Sequence, residues 1–60
     1  VKLGRMYAHK RTKTEYLVQS IGRMKTQGIW VVSVSYINST GDMYTRNIKD
    51  FEDSFTIVTN

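Results

Sequence analysis

The chain has 60 residues, a net charge of +4 and no cysteine. A chain of this length forms at most one domain with a thin core, and it has no room for an enclosed substrate cavity. The lack of cysteine excludes disulfides and thiolate-bound zinc and favours a cytoplasmic compartment. No apolar run approaches the roughly 20 residues that span a bilayer.

The first half of the chain predicts two strands and two loops. Residues 6–9 form a short extended segment that ends in the polar cluster 10–14, a predicted turn. Residues 15–21 alternate tyrosine and valine on one face with leucine and isoleucine on the other, which is typical of a strand. Residues 22–28 are polar and bracketed by glycine, so we expect an exposed loop there.

The second half predicts three further strands and one helical turn. Residues 29–37 give the strongest strand pattern, with tryptophan, valine and tyrosine alternating on one face. Residues 38–42 contain the glycine that a hairpin loop needs, and residues 43–47 pair back against the preceding strand. The acidic residues and spacing of 48–53 suit one short helical turn, and residues 55–58 form the last strand.

These elements predict an all-β fold, a small five-stranded Src-homology-3-like (SH3-like) barrel with one short helical turn before the last strand. Residues 1–60 would form this single domain, and closure of the barrel would remove most free sheet edges. The alternative is an open antiparallel sheet that dimerises to cover its apolar face. The side chains expected in the core are Tyr16, Trp30, Val32, Val34, Val18, Tyr36, Tyr44, Phe51 and Phe55.

Catalytic groups are missing from the sequence. His9 is the only histidine, and its basic neighbourhood offers no acid to orient it. The acids of residues 50–53 are better explained as the solvated start of a helix. No Ser-His-Asp set, phosphate-binding glycine loop or metal-ligand spacing occurs. We therefore predict a protein that is not an enzyme and that takes no cofactor or metal.

Charge is divided unevenly along the chain. Residues 1–25 carry seven basic residues against one acid, whereas residues 26–60 carry two basic residues against four acids. A basic half predicts a surface that attracts anions, although charge also serves solubility. Tyr7 and His9 share a strand face beside the basic loop and are expected to be exposed at the centre of that surface. The predicted binding residues are Arg5, Tyr7, His9, Lys10, Arg11, Lys13, Arg23, Lys25 and Arg46.

Arg46 lies two residues after Tyr44 on the same predicted strand face. An arginine in this position can stack on an aromatic ring or pair with a carboxylate such as Asp50 or Glu52. We expect Arg46 to be structural first.

Several short motifs occur in one order along the chain: Tyr7-x-His9, Glu15-Tyr16-x-Val18, an apolar strand ending in Tyr36, and Gly41-x-x-Tyr44-x-Arg46 followed by Phe51. Over residues 4–56 this series resembles a family of small bacterial and phage domains of unknown function. In the family's pattern a lysine follows the histidine by two positions, a tryptophan takes the place of Tyr44, and a proline takes the place of Asn47. The resemblance implies a compact barrel in which histidine, tyrosine and arginine converge. It also implies a stand-alone phage early protein, a class that binds and redirects host machinery.

Two functions fit these observations. The first is a binding module that attaches to an acidic surface of a host protein through the basic half, in the cytoplasm of the host cell if the chain is phage-encoded. The second is direct binding of nucleic acid or a nucleotide by the same residues. A net charge of +4 is modest for a dedicated nucleic-acid binder, which favours the first. We expect no membrane contact and either a monomer or a homodimer.

Overall fold

One antiparallel sheet and one short helix make up the part of the chain that the structure, a computed structural model, describes, residues 1–59. The elements are β1 (Met6–His9), β2 (Glu15–Thr26), β3 (Ile29–Ile37), β4 (Met43–Asn47), α1 (Ile48–Ser54) and β5 (Phe55–Ile57). The strand order is β4-β3-β2-β1-β5. The predicted all-β fold, with five strands and a helical turn before the last, is confirmed. The predicted closure of the sheet into a barrel was wrong, because β4 and β5 are free edges and the sheet is open. The last residue of the predicted domain, Asn60, lies outside the described residues.

The core lies between one face of this sheet and α1. Alternation along the strands directs Tyr7, Val18, Val34 and Tyr36 to that face, where Phe51 of α1 covers them. The Tyr7 ring meets the Phe51 ring edge-on with centroids 5.2 Å apart. Such pairs add about 0.5–1.5 kcal/mol beyond burial, so aromatic packing compensates in part for the absence of disulfides.

Helix α1 begins with a side-chain cap. Asn47 is in an extended conformation, and its Oδ1 accepts a hydrogen bond of 2.8 Å from the backbone N–H of Asp50. Asparagine is among the best residues at this position because it satisfies a donor that the helix leaves free. Asn47 therefore has a defined role in starting the helix.

The hairpin formed by β2 and β3 is longer than predicted. The polar stretch 22–28, predicted as a loop, is strand as far as Thr26 and continues the ladder with β3. Only Gln27 and Gly28 form the turn, with φ of 50° and 78°. Positive φ at both central residues is the requirement of a two-residue type I′ hairpin, which matches the twist of the flanking strands. The polar residues 22–26 were wrongly predicted as part of a loop, because a solvent-exposed strand is also polar.

The far half of this hairpin extends beyond the rest of the sheet. β1 is paired with β2 only along Glu15–Leu17, and β4 is paired with β3 only from Ser33 onward. We call residues 20–32 the hairpin arm. With this arm the molecule measures 38 × 22 × 18 Å.

The errors in the predicted core arise because β4 and α1 cover only part of the β2–β3 hairpin. Val18, Val34, Tyr36, Phe51 and Phe55 are buried as expected, and Tyr16 is half-buried. Trp30 and Val32 are exposed because they lie on the arm, beyond the residues that β4 and α1 cover. Tyr44 is exposed because β4 is an edge strand.

Among residues 1–59 the structure has no helix of the length and apolar character that a membrane span requires.

Candidate binding surfaces

The predicted basic residues do not form one face. Lys10, Arg11 and Lys13 precede β2, whereas Arg23 and Lys25 lie near its far end. Strand residues advance about 3.3 Å each, so the ten steps from Glu15 to Lys25 separate the two groups by roughly 30 Å. The predicted single basic surface was wrong, because the loop before the long strand β2 and the turn after it lie at opposite ends of that strand.

His9 organises the basic loop at the first end. Its Nδ1 accepts hydrogen bonds from the backbone N–H groups of Arg11 (3.2 Å) and Thr12 (3.4 Å). Its ring packs edge-on against Phe55, with centroids 5.1 Å apart. The half-buried histidine therefore fixes the path of the loop, while the side chains of Lys10, Arg11 and Lys13 are exposed.

Arg46 is held by three neighbours. Its Nε donates to the phenolic oxygen of Tyr36 at 2.9 Å, and its Nη1 donates to the Ser54 hydroxyl at 3.2 Å. Its guanidinium carbon lies 5.4 Å from the centre of the Phe55 ring. Arg46 therefore stacks on an aromatic ring as predicted, but the ring is that of Phe55 and not that of Tyr44. In residues 1–59 no ion pair joins Arg46 to Asp50 or Glu52. Arg46, Tyr36 and His9 all lie against the Phe55 ring.

Tyr7 is not part of a surface. Its side chain is only 7% exposed, and its phenolic oxygen accepts a hydrogen bond of 2.8 Å from the backbone N–H of Lys2. The prediction that Tyr7 is exposed was wrong because α1 covers this face of β1. Arg5 is exposed, and its carbonyl accepts a hydrogen bond from the backbone N–H of Val18, so it lies between the two basic groups.

The second end of the molecule, the hairpin arm, exposes a mixed apolar and basic surface. Its inner face continues the core face, and exposure rises along β3 from 0% at Val34 to 40% at Val32 and 64% at Trp30. On β2, Arg23 is paired with Val32 and Lys25 with Trp30. The Lys25 ammonium nitrogen lies 6.0 Å from the centre of the Trp30 ring. This places two cations beside the only tryptophan of the chain.

Sequence reasoning missed Trp30 as a surface residue, yet one observation pointed to it. The predicted strand 29–37 has nine residues, whereas its partner 43–47 has five and can cover only part of it. The uncovered part is the segment that contains the tryptophan.

The outer face of the arm is also apolar. Met24 is paired there with Val31, and Ile29 is exposed beside the turn. Contiguous exposed apolar surface marks sites of interaction.

A third surface lies on the outer face of the sheet. Met6, Leu17, Ile37 and Met43 are successive cross-strand neighbours and form an apolar stripe over four strands. Met6, Leu17 and Ile37 of this stripe line an open groove of about 560 Å³, whose wall also includes Glu15. The groove faces away from the arm's cations.

The positive charge of the arm is not neutralised within the chain. Residues 20–32 contain no acid, and in the part of the chain that the structure describes no lysine or arginine side chain lies within 4.0 Å of a carboxylate. Three of the five acids are on α1. The arm therefore presents unpaired cations next to apolar side chains.

Comparisons with known proteins add no relative: no family model, no curated protein and no solved structure matches the chain. The resemblance to small bacterial and phage domains stays a prediction, and the functional argument depends on the surfaces of this chain.

Proposed function

We propose that the chain is a small non-enzymatic binding module that attaches to an acidic surface of another protein through its hairpin arm. The observation that carries this proposal is the exposed Trp30, which lies beside Arg23 and Lys25 on an element without strand neighbours. Tryptophan and arginine are enriched among the residues that dominate binding energy at protein interfaces. An isolated two-stranded hairpin is marginal in water, so a partner that covers it adds stability.

The aliphatic side chains favour a protein over a nucleic acid. Val32 follows Trp30 on the inner face, Ile21 lies further along that face opposite Val34, and Ile29 is exposed at the turn. Bases stack on aromatic rings, and Trp30 is the arm's only aromatic residue, whereas apolar protein surfaces also pack against isoleucine and valine. The unpaired cations add preference for an acidic partner. The resemblance to phage domains favours a host protein in this role.

Binding of nucleic acid or a nucleotide is the second candidate. It is favoured by Lys25 over the Trp30 ring, because a base could stack on the indole while the ammonium group contacts phosphate. The two candidates differ in salt dependence. Each phosphate that is neutralised on single-stranded nucleic acid lowers log K by about 0.7 per tenfold rise in salt.

Matched variants at the two ends of the molecule test the proposal. The arm variants are Trp30→Ala and the double reversal Arg23→Glu with Lys25→Glu. The loop variant reverses Lys10, Arg11 and Lys13 to glutamate. Each is used as bait in cell lysate after nuclease treatment, with folding checked by circular dichroism.

We expect both arm variants to lose the captured protein and the loop variant to retain it. Capture that disappears with nuclease would favour the nucleic-acid candidate. Capture that is lost in the loop variant but kept in both arm variants would move the site to the basic loop and contradict the proposal.

A further inference from the structure

We propose that the hairpin arm binds an extended acidic segment of its partner as an added β-strand along the free edge of β2. This inference rests on the proposed function and specifies how the arm engages its partner. It concerns the backbone of residues 21–26 rather than the arm's faces.

The edge of β2 is open over enough length for a strand. The last contact that β2 makes toward β1 is at Val18, whose backbone is bonded to Gly4 and Arg5. Beyond it, within residues 1–59, β2 is paired only with β3. Six residues at about 3.3 Å each give roughly 20 Å, the length of an ordinary strand. Unpaired backbone N–H and C=O groups on such an edge are a template for another strand.

Side chains along this edge specify an acidic partner. Arg23 and Lys25 lie two residues apart and so share one face. In an added strand the residues directly opposite them would lie within about 5 Å, where opposite charges stabilise the pair. On the other face Gly22 leaves free space, with no atom near the position that a Cβ would take, and Met24 offers an apolar contact. The matching strand alternates acidic with apolar residues.

A second copy of the chain fits this edge poorly. Pairing two β2 edges antiparallel would bring Arg23 and Lys25 of one copy close to those of the other, and like charges opposite each other destabilise a sheet. Cations on an edge are a known protection against self-association. The same charges that oppose a second copy favour an acidic strand.

The test uses capped eight-residue peptides with the intact chain. The probe alternates glutamate with valine. One control alternates lysine with valine, and the other is the glutamate peptide with alternate backbone nitrogens methylated, which keeps the charge but removes strand hydrogen bonds. Fluorescence of Trp30, the single tryptophan, reports affinity, and amide hydrogen exchange by NMR reports which backbone groups are engaged.

We expect the glutamate peptide to bind and to slow exchange at alternate amides of residues 21–26. N-methylation should weaken binding at least about tenfold, since two or more hydrogen bonds are lost. The lysine peptide should not bind wild type but should bind the double reversal of Arg23 and Lys25 to glutamate. Arg11→Glu, the same charge reversal in the basic loop, should leave the affinity unchanged.

Three results would overturn strand addition: no binding of the glutamate peptide, equal binding of its N-methylated form, or slowed exchange confined to other segments. Tighter binding of an eight-nucleotide thymidine strand than of the glutamate peptide would replace it with the nucleic-acid candidate. The same experiments distinguish the failure of strand addition from the failure of the proposed function. If lysate capture depends on Trp30 while the amides of residues 21–26 stay unprotected, the arm binds protein through its faces and only strand addition is rejected.

Discussion

Replacement of Arg46 by alanine should destabilise the domain without acting through the hairpin arm. The substitution removes the hydrogen bonds to Tyr36 and Ser54 and the stacking of the guanidinium on Phe55. Tyr36 is almost fully buried, so its hydroxyl group loses a partner in a place that water reaches poorly. The variant is therefore a direct test of the structural role assigned to Arg46.

The expected magnitude follows from these three contacts. Hydrogen bonds to charged groups are each worth about 1.5–3 kcal/mol, and a cation over an aromatic ring adds about 0.5–2 kcal/mol. Because Arg46 is half-exposed, water recovers part of this loss, and we expect a net decrease of about 2–3 kcal/mol in the free energy of unfolding. For a domain of this size that corresponds to a fall in Tm of roughly 10–20 °C. Urea denaturation followed by far-ultraviolet circular dichroism measures it.

Two further variants isolate the contact between Arg46 and Tyr36. Arg46→Lys keeps the charge but lacks the fork that reaches Tyr36 and Ser54 together, so it should recover less than half of the loss. Arg46→Ala combined with Tyr36→Phe should cost less than the sum of the single changes, because both remove the same hydrogen bond. Unchanged stability of Arg46→Ala with loss of partner binding would refute the structural role and make Arg46 a contact residue.

Three other changes test the core, the helix cap and the turn. Val34→Ala should lower the free energy of unfolding by about 1–3 kcal/mol in urea denaturation, and Val32→Ala on the arm by clearly less; equal effects would contradict the boundary between core and arm. Asn47→Ala should cost about 1 kcal/mol by the same measurement, and no change would mean that the cap is dispensable. Gln27→Asn should slow hydrogen exchange in the arm, because asparagine adopts a positive φ more easily than glutamine and so stabilises the turn by up to about 1 kcal/mol. Faster exchange would contradict the type I′ turn with Gly28.

Strand periodicity predicted most of the fold because alternation depends on local sequence alone. Four of the five strands begin and end within one residue of the predicted positions, and the helical turn before the last strand was recognised from its acids. The exception is β2, which was ended five residues early at Ile21. A strand exposed on both sides lacks the alternation of apolar and polar residues from which a strand is predicted. Gly22 and the polar residues after it were therefore predicted as a loop.

Surface geometry was less accessible to sequence reasoning because it depends on where strands end relative to one another. Trp30 was assigned to the core and Tyr7 to the surface, and each prediction was wrong for the same reason. Burial of one strand face requires a neighbouring element. Here that element is α1, which packs against β3, β4 and β5 and places Phe51 on Tyr7, and its position is set by tertiary packing. The uneven charge is a property of the sequence, but the length of β2 places Lys10, Arg11 and Lys13 at one end of the molecule and Arg23 and Lys25 at the other.

The arm's weakness as a free element and its suitability for binding have one physical cause. With no third strand, the arm depends on its turn and on cross-strand pairs such as Lys25 with Trp30. Local opening is easiest where buried contacts are few, so the arm should fluctuate more than the core around Phe51. A strand added at the edge of β2 would convert this two-stranded element into a three-stranded one, the smallest sheet with independent stability. The free energy of binding would then be reduced by the cost of ordering the arm.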